Sequence, residues 1–432
     1  MGLRVSPCVV DLDVGHADRR CALDRAVVAI DVGTTKICTL VGELDEADNL
    51  CVVGVGVAPS HGLTKGVVVN VDEASKSIAA SIEKAERVSG YTIEAAYVGL
   101  AGKHISSLNS RGVVAVGRGE RYITEDDVQR AIEAAQAIAV PHNREIVHIL
   151  PRSYTLDGQE GVRDPVGMMG FRLEVEAHIV TGAVASMRNL VQCVENAGVA
   201  VNDLILQPLA SSEAVLTPEE RETGVVLVDA GGGTSDVAIF VQGSILHSVV
   251  LPVGGNNLTN DVAVGLRTPF AIAEELKIKY GHALPEMIDA NETIGVEAFG
   301  EGSSQSVSRL QLCEIIEARA EEMIALVQNE IKRSGYDGLL PAGLILTGGT
   351  AELQGFKELA REMLGLPVRI GRAHGVGGLA DAVSSPAYAT AVGLLLWGKH
   401  HGTSERRIER HGNRWSDIYQ RFRDILGAFL PH

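Results

Sequence analysis

The sequence predicts an α/β protein with two related half-domains, and three observations support this prediction. The chain has 432 residues, which is more than a single hydrophobic core usually accommodates. It is 46% hydrophobic but only 4% aromatic and contains 48 glycines, a composition typical of aliphatic α/β proteins. An apolar strand, a terminal aspartate, glycine and a pair of hydroxyl residues occur in that order twice, about 200 residues apart. Such a repeat indicates two half-domains that face a common ligand.

The first half-domain begins at residue 26, because residues 1–25 show no regular pattern and are expected to form a loose extension. An apolar run from Ala26 ends at Asp31, whose carboxylate could hold the water shell of Mg²⁺ or simply cap the turn. Glycine lets the backbone approach a phosphate, hydroxyls donate hydrogen bonds to it, and a lysine adds a point charge. The residues of this first glycine turn that we expect to bind phosphate are Gly33, Thr34, Thr35 and Lys36.

A helix and an inserted block follow in the first half-domain. The segment from Asp72 to Gly90 has apolar residues at helical spacing and ends in glycine, so we expect a helix there. From residue 96 to residue 179, one helix that begins at Thr124 stands among several strands. This α+β block contains neither glycine turn, and we expect it to fold as a small subdomain.

The first half-domain resumes at residues 180–217, where a strand and a helix meet at Gln207. The position of Gln207 between the two glycine turns makes it the candidate that orients a water molecule for attack on a phosphate. A neutral amide orients water but is a poor general base, so any hydrolysis would be slow. The alternative is that Gln207 only caps the helix.

The second glycine turn is the central element of the second half-domain, which we expect to begin at residues 218–258. An apolar run from Gly224 ends at Asp229, which is expected to hold Mg²⁺ through water, and the next strand covers residues 238–241. Consecutive glycines expose backbone N–H groups that can form a nest for an anion. The residues expected to contact phosphate in this turn are Gly231, Gly232, Gly233 and Thr234. Taken alone, the segment is equally compatible with a β-hairpin that contains a glycine bulge.

A third glycine turn, formed by Gly348 and Gly349, follows an apolar strand that begins at Leu344. Two glycines at this point would let the backbone lie against a flat base or an α-phosphate. The chain has no GxxxxGK[ST] motif, so a phosphate site must be built from separate turns rather than from one P-loop. The three turns together predict a bound nucleotide, with ATP and Mg²⁺ as the expected ligands.

The order and spacing of these turns resemble those of the ATPase superfamily that contains actin, the heat-shock chaperone ATPases and the sugar kinases. Within that superfamily, residues 164–182 are similar to the segment in which the relocated small subdomain of the FtsA family, the bacterial cell-division actins, returns to the main fold. The likeness extends from about Ala26 to the end of the chain. It implies an actin-like ATPase fold, and it implies that Glu274 and Lys277 contact the ribose and adenine. From spacing alone, these two residues could be an ordinary surface ion pair.

The remaining segments complete the expected domain organisation. Residues 259–311 contain a stretch rich in glycine, serine and acidic residues and fit a small exposed subdomain of the second half-domain. Residues 312–384 return to the second half-domain, and the helix at 385–398 closes the first. The expected segments are therefore 1–25, 26–95, 96–179, 180–217, 218–258, 259–311, 312–384, 385–398, 399–413 and 414–430.

The last of these segments predicts an amphipathic helix at 414–430 after a charged linker at 399–413. Large apolar side chains fall on one face of this helix at helical spacing: Trp415, Ile418, Tyr419, Phe422, Ile425, Leu426 and Phe429. Basic residues outnumber acidic ones after Trp397, although the whole chain has a net charge of −17. This composition favours a helix that lies in the plane of an anionic membrane. The alternatives are a helix that docks on its own core and one that binds a partner.

The FtsA resemblance implies an ATP-binding cell-division protein, at most a slow ATPase, on the cytoplasmic side of the cell membrane at the septum. The implied partners are the C-terminal tail of the tubulin-like protein FtsZ near residues 259–311, further copies of the chain in filaments, later division proteins and anionic lipid. An actin-like pilus-assembly adaptor and an ATP-dependent kinase remain as alternatives. A net charge of −17 argues against nucleic-acid binding, and no apolar run is long enough to predict a transmembrane helix.

Overall fold

The computed structural model describes residues 26–117, 122–137, 140–297 and 304–405. The extension predicted at residues 1–25 and the amphipathic helix predicted at 414–430 lie outside the described residues. Within the described part of the chain, no helix is both long and apolar enough to cross a membrane.

The strands of the described residues are β1 (Ala26–Val32), β2 (Lys36–Leu44), β3 (Leu50–Pro59), β4 (Leu63–Thr64), β5 (Val67–Val68), β6 (Ala95–Leu100), β7 (Ser106–Ala115), β8 (Arg144–Leu156), β9 (Gln159–Val162), β10 (Arg172–Ala183), β11 (Ala200–Leu206), β12 (Val225–Ala230), β13 (Ser235–Val241), β14 (Ser244–Leu251), β15 (Thr293–Glu297), β16 (Ser304–Ser308), β17 (Leu344–Thr347), β18 (Val368–Ile370) and β19 (Val376–Gly378).

The α-helices are α1 (Val71–Ser89), α2 (Glu125–Gln136), α3 (Val184–Asn196), α4 (Gln207–Val215), α5 (Pro218–Thr223), α6 (Gly255–Leu266), α7 (Phe270–Tyr280), α8 (Arg309–Ser334), α9 (Phe356–Leu364) and α10 (Ala389–Glu405). The helix α1 agrees with the sequence prediction at both ends. The side chain of Asn70 accepts hydrogen bonds at its start, and Gly90 ends it with a φ of 74°.

The sheets of the two halves share a five-strand order, and β19 is an additional strand at the edge of the first. The sheet of the first half has the order β11-β6-β1-β2-β3-β19, and that of the second half has the order β14-β13-β12-β17-β18. In each, an antiparallel meander (β1-β2-β3 or β12-β13-β14) continues into two parallel strands (β6 and β11, or β17 and β18). The repeat that was visible in the sequence is therefore a repeat of topology, and it places the two glycine turns at equivalent positions.

A third sheet, β7-β10-β8-β9, forms the inserted subdomain together with α2. Thr124 and Asp127 cap α2 reciprocally, as expected for a helix that begins at Thr124. The sequence analysis assigned residues 96–100 to this block, but the structure places them in β6, at the centre of the first half. Val98 and Leu100 are buried there between β1 and β11. The inserted subdomain therefore starts after β6.

The inserted subdomain also contacts the second half through β14. Oγ of Ser107 donates a hydrogen bond to the backbone oxygen of Ser248 at 2.7 Å. Nδ2 of Asn109 donates to the backbone oxygen of Leu246 at 3.1 Å. The subdomain is thus covalently part of the first half and is hydrogen-bonded to the second.

The helices α4 and α10 cross between the halves at very short range. A Cβ atom on Gly393 would lie 1.8 Å from the backbone oxygen of Ala210, so only glycine permits this crossing. The helix α10 continues to Glu405, although residues 399–405 were predicted as linker. The charged composition of this segment suggested a linker, but the helix continues through residues 399–405, and Lys399 pairs with Asp48 at 3.3 Å. The rest of the predicted linker lies outside the described residues.

Candidate functional site

A cavity of about 390 Å³ lies between the two halves, at the turns that follow β1, β12 and β17. A cavity of this size falls in the range of pockets that bind cofactors and other small molecules. The cleft residues predicted from the sequence all line it: Asp31, Gly33, Thr34, Thr35, Lys36, Gln207, Asp229, Gly231, Gly232, Gly233, Thr234, Glu274, Lys277, Gly348 and Gly349.

The first and second glycine turns face each other at close range. A Cβ atom on Gly232 would lie 1.9 Å from Oγ1 of Thr35, and one on Gly233 would lie 2.5 Å from Oγ1 of Thr34. The Thr34 hydroxyl is itself held in place, because it accepts a hydrogen bond from the backbone N–H of Gly66 at 3.1 Å. The approach of the two turns therefore requires glycine at both positions. Both turns can contact a single phosphate chain.

The start of α6 and the residue after the third glycine turn hold the second glycine turn in shape. The backbone N–H of Gly255 donates to the oxygen of Gly231 at 2.9 Å, and that of Asn256 donates to the oxygen of Gly232 at 2.7 Å. Oγ1 of Thr350 also donates to the oxygen of Gly231, at 2.8 Å. These contacts preorganise the second turn and connect the third turn to it.

The third glycine turn packs directly against the strand that carries Asp229. Gly348 has a φ of 81°, and a Cβ atom there would lie 2.5 Å from both the Ala230 oxygen and Oδ1 of Asp229. At Gly349 the nearest atom to a Cβ would be 3.8 Å away, in Ala387. The fold therefore requires glycine at position 348, whereas Gly349 leaves room for a ligand.

Three carboxylates, those of Asp31, Asp229 and Asp236, are buried beside the cavity. Burial, aided by repulsion from Asp229, raises the pKa of Asp31 to about 7. Burial also raises the pKa of Asp229. Burial and repulsion from Asp229 raise the pKa of Asp236 well above its usual value. Oδ1 of Asp236 is buried and has no hydrogen-bond partner among the described residues.

A divalent cation that arrives with phosphate fits this arrangement. Within the described residues, no three His, Cys, Asp or Glu side chains are grouped so that they could hold a metal ion by themselves. Mg²⁺ usually keeps several waters and binds one or two carboxylates together with substrate phosphates. The repulsion among the carboxylates and the unpaired oxygen of Asp236 would both be relieved by a cation.

Gln207 contacts one of these carboxylates. Its Nε2 donates a hydrogen bond to Oδ1 of Asp31 at 2.8 Å. The helix α4 begins at Gln207 but has no hydrogen bond from a capping side chain. The structure thus places the Gln207 amide at the cavity, next to Asp31, and not in a capping role.

Lys36 lies in the wall of the cavity with its amine over an aromatic ring. Its Nζ is 3.5 Å from the ring centroid of Tyr388, which precedes α10. Burial lowers the pKa of Lys36, while Asp31 and Asp229 oppose that shift. The amine is therefore positioned near the turn that should receive phosphate.

Glu274 and Lys277 form a partly buried ion pair on α7. Nζ of Lys277 lies 2.7 Å from Oε2 of Glu274 and 2.9 Å from Oγ1 of Thr259. It also donates to the oxygen of Gly255 at 3.3 Å, and its side chain is only 13% exposed. The pair is thus not an ordinary surface pair: it lines the cavity and connects α7 to α6.

Comparison with known proteins assigns the family. The profile of the family described as "Cell division protein FtsA" matches residues 226–393, and that of the "SHS2 domain inserted in FTSA" matches residues 102–181. FtsA of Pseudomonas aeruginosa is 46% identical over 392 residues, which cover 91% of this chain and 94% of the relative. FtsA of Escherichia coli strain K12 is 37% identical over 398 residues, which cover 90% of this chain and 94% of the relative.

This chain belongs to the FtsA family. The family resemblance predicted from the glycine turns and from residues 164–182 is confirmed. The chain is accordingly an actin-like cell-division protein, and the match at residues 102–181 agrees with an inserted subdomain that starts after β6.

Solved structures confirm the actin-like ATPase fold of this FtsA-family chain. The PilM-PilN type IV pilus biogenesis complex matches with a TM-score of 0.63 at 15% identity and covers 86% of this chain and 98% of the other. MreB5 of Spiroplasma citri bound to ADP matches with a TM-score of 0.54 at 14% identity and covers 89% of this chain and 99% of the other. At such low identity these matches bear on the fold alone.

Sequence reasoning missed several residues of the site in this FtsA-family chain. Asp236 follows the second glycine turn and was not assigned a role, although an aspartate directly before the apolar run of β13 was a usable signal. Asn256 and Thr350 also line the cavity. Ser211 and Thr390, which bind Asp229, carried no local signal because they reach the site only through the crossing of α4 and α10.

Proposed function

We propose that this FtsA-family chain binds ATP with Mg²⁺ in the cleft and acts as a membrane-tethered filament protein of cell division. The observation that carries the nucleotide part is the apposition of the first and second glycine turns. They occupy equivalent positions in two sheets of the same topology and approach each other so closely that a Cβ on Gly232 would overlap Thr35. Two backbone turns at this distance suit the β- and γ-phosphates of one nucleotide.

Each group of cleft residues has a distinct role in this proposal. The hydroxyls and backbone N–H groups of the first and second glycine turns bind the phosphates, and Lys36 supplies a positive charge. Asp31 and Asp229 hold Mg²⁺ through water, and the cation supplies charge neutralisation for the phosphates. Gly349 leaves room for the base or α-phosphate, and the pair Glu274 and Lys277 contacts the adenosine.

Gln207 positions the water for a slow hydrolysis step. Its Nε2 is 2.8 Å from Oδ1 of Asp31, which fixes the amide orientation and leaves its carbonyl oxygen to accept a hydrogen bond from water. An amide cannot take up the proton of that water, so the expected turnover is low.

The division role rests on family membership and on the sequence outside the described residues. We propose that helix 414–430 tethers the chain to anionic lipid on the cytoplasmic side of the membrane at the septum. The small subdomain at 259–311 would bind the C-terminal tail of FtsZ, so that the filament connects the FtsZ ring to the membrane and recruits later division proteins. Family membership favours this function over the pilus-assembly and kinase alternatives.

Nucleotide titration of three variants tests the cleft. Asp229→Ala removes one carboxylate of the Mg²⁺ shell, and Gly232→Val forces the two turns apart because its side chain would overlap Thr35. Each should weaken binding of a fluorescent ATP analogue in Mg²⁺ by about a hundredfold, or about 2.8 kcal/mol, which corresponds to the loss of one or two contacts to charged groups of about 1.5–3 kcal/mol each. Gly295→Val is the matched control, since a Cβ at Gly295 meets no atom within 4 Å. Unchanged affinity in both cleft variants would refute the proposal.

A further inference from the structure

The carboxylate of Asp229 is held by two hydroxyl groups from the two helices that cross between the halves. Asp229 lies on β12 of the second half, whereas Ser211 lies on α4 and Thr390 on α10. Oγ1 of Thr390 donates to Oδ2 of Asp229 at 2.7 Å, and Oγ of Ser211 donates to the same oxygen. Ser211 is fully buried and Thr390 is 7% exposed.

The proton count assigns both hydroxyl hydrogens to Asp229. Oγ of Ser211 also lies 3.0 Å from the backbone oxygen of Gln207 and 3.0 Å from Oγ1 of Thr390, but it has only one hydrogen to donate. A charged acceptor makes a stronger hydrogen bond than a neutral carbonyl or hydroxyl oxygen. The Asp229 carboxylate therefore receives both donors when it is ionised.

The two carboxylate oxygens of Asp229 consequently have different surroundings. Oδ2 is occupied by Ser211 and Thr390. Oδ1 lies beside Gly348, where a Cβ atom would approach it to 2.5 Å, and both residues line the cavity. A rotation of the carboxylate would break both hydroxyl contacts at once. A shift of α4 or α10 relative to β12 would break them as well.

We propose that Ser211 and Thr390 are positioning residues that aim Oδ1 of Asp229 at a nucleotide-bound divalent cation. This inference rests on the proposed nucleotide function. The competing explanation is structural: the hydroxyls would only fill polar positions where α4 and α10 meet β12. The two explanations differ in what the cation contributes to nucleotide affinity.

The test measures that contribution directly. The affinity of the full chain for a fluorescent ATP analogue is determined with Mg²⁺ and again with EDTA, and the ratio of the two affinities is compared between variants. Ser211→Ala and Thr390→Val each remove one hydroxyl with little change in volume. Each should lower the ratio about tenfold, because one of the hydrogen bonds that orient the carboxylate is lost. Binding in EDTA should stay within about twofold of the wild type, because Asp229 then has no cation to hold.

Two control variants separate positioning from packing. Ser212→Ala removes a neighbouring hydroxyl that is equally buried but donates to the backbone oxygen of Leu209 at 2.7 Å, and it should leave the ratio unchanged. Thr390→Ser keeps the hydroxyl and loses only the methyl group, so it should retain the wild-type ratio.

The outcomes distinguish this inference from the function on which it rests. An affinity ratio that is unchanged in both Ser211→Ala and Thr390→Val would overturn the inference. If affinity is lost equally with Mg²⁺ and with EDTA, the role of the hydroxyls is structural. A wild-type chain that binds the nucleotide equally well in Mg²⁺ and in EDTA would overturn the inference but leave nucleotide binding intact. A wild-type chain that binds no nucleotide in either condition would overturn the proposed function together with the inference.

Discussion

The contact between the inserted subdomain and the second half should make the protein sensitive to acid through His178. This histidine lies on β10 and is 1% exposed. Its Nδ1 is 2.7 Å from Oδ1 of Asn109, and its Nε2 is 2.8 Å from Oγ of Ser248 on β14. Since Nδ2 of Asn109 donates to Leu246, Oδ1 of Asn109 can only accept from the ring. A neutral ring that donates from Nδ1 and accepts at Nε2 satisfies every partner.

The size of the stability loss in acid follows from the pKa of the His178 ring. Burial, aided by the nearby His247 and Arg152, lowers the pKa of His178 from 6.5 to about 3. Above pH 6.5 the ring is neutral in both the folded and the unfolded chain, so its contribution to stability is complete. As the pH falls from 6.5 toward 3, only the unfolded chain takes up the proton, and the folded state loses about 1.4 kcal/mol per pH unit. Between pH 7.5 and pH 5 the loss amounts to about 2 kcal/mol.

The assay compares urea unfolding of the wild type and His178→Gln at pH 7.5 and at pH 5. Glutamine can donate and accept but does not titrate, so the stability advantage of the wild type should shrink by about 2 kcal/mol at the lower pH. The difference between the unfolding free energies of the two proteins cancels the contributions of groups that titrate in both. Among them are His148, whose pKa burial lowers to about 4, and Asp31, whose pKa burial raises to about 7 with the opposite effect on stability. An advantage that is the same at both pH values would refute the reasoning.

Two further predictions concern the inserted subdomain and the tail. Residues 107–180 can be replaced by a short glycine linker, because the flanking residues 106 and 181 are paired in the sheet. The deletion should leave nucleotide affinity within a few-fold of the wild type, while filament formation is lost. Loss of nucleotide binding in a deletion variant that still folds would contradict this. Truncation after Glu405 and the substitution Phe422→Glu should both abolish co-sedimentation with anionic vesicles. The control Gln420→Glu adds the same charge on the polar face of the predicted helix and should still co-sediment. Equal pelleting of truncated and full-length chains would place the anchor elsewhere.

The three glycine turns could be predicted from the sequence because their signal is local. A turn that must approach a ligand or another turn needs glycine, and a strand that ends beside it needs a run of apolar residues. Gly232 and Gly348 illustrate this, since the structure leaves no space for a side chain at either position. The placement of Asp31 and Asp229 on the same cavity could be predicted for the same reason, because each belongs to one copy of the repeat.

Site residues and domain boundaries that depend on tertiary packing could not be predicted from local sequence. Ser211 and Thr390 reach Asp229 from helices that are far apart in the chain, and their own neighbourhoods resemble plain buried helices. The strand β6 has the same composition whether it joins the sheet of the first half or that of the inserted subdomain. Only its pairing with β1 and β11 decides the assignment. The helix α10 extends past Trp397, and there Lys399 pairs with Asp48 on a distant loop, a contact that no local sequence pattern predicts.

The cleft combines two features that are unfavourable in isolation, and their coincidence is the physical argument for a ligand. The carboxylates on β1 and β12 are buried, and burial raises the pKa of Asp229 and, with repulsion from Asp229, raises that of Asp31 to about 7. Glycines such as Gly232 and Gly233 leave the backbone without side chains to pack, which costs conformational entropy on folding. Natural sequences violate such local rules mainly at functional sites. A phosphate chain that brings its own cation would offset both costs at once, because the cation neutralises the carboxylates and the phosphates accept hydrogen bonds from the exposed backbone N–H groups of the glycine turns.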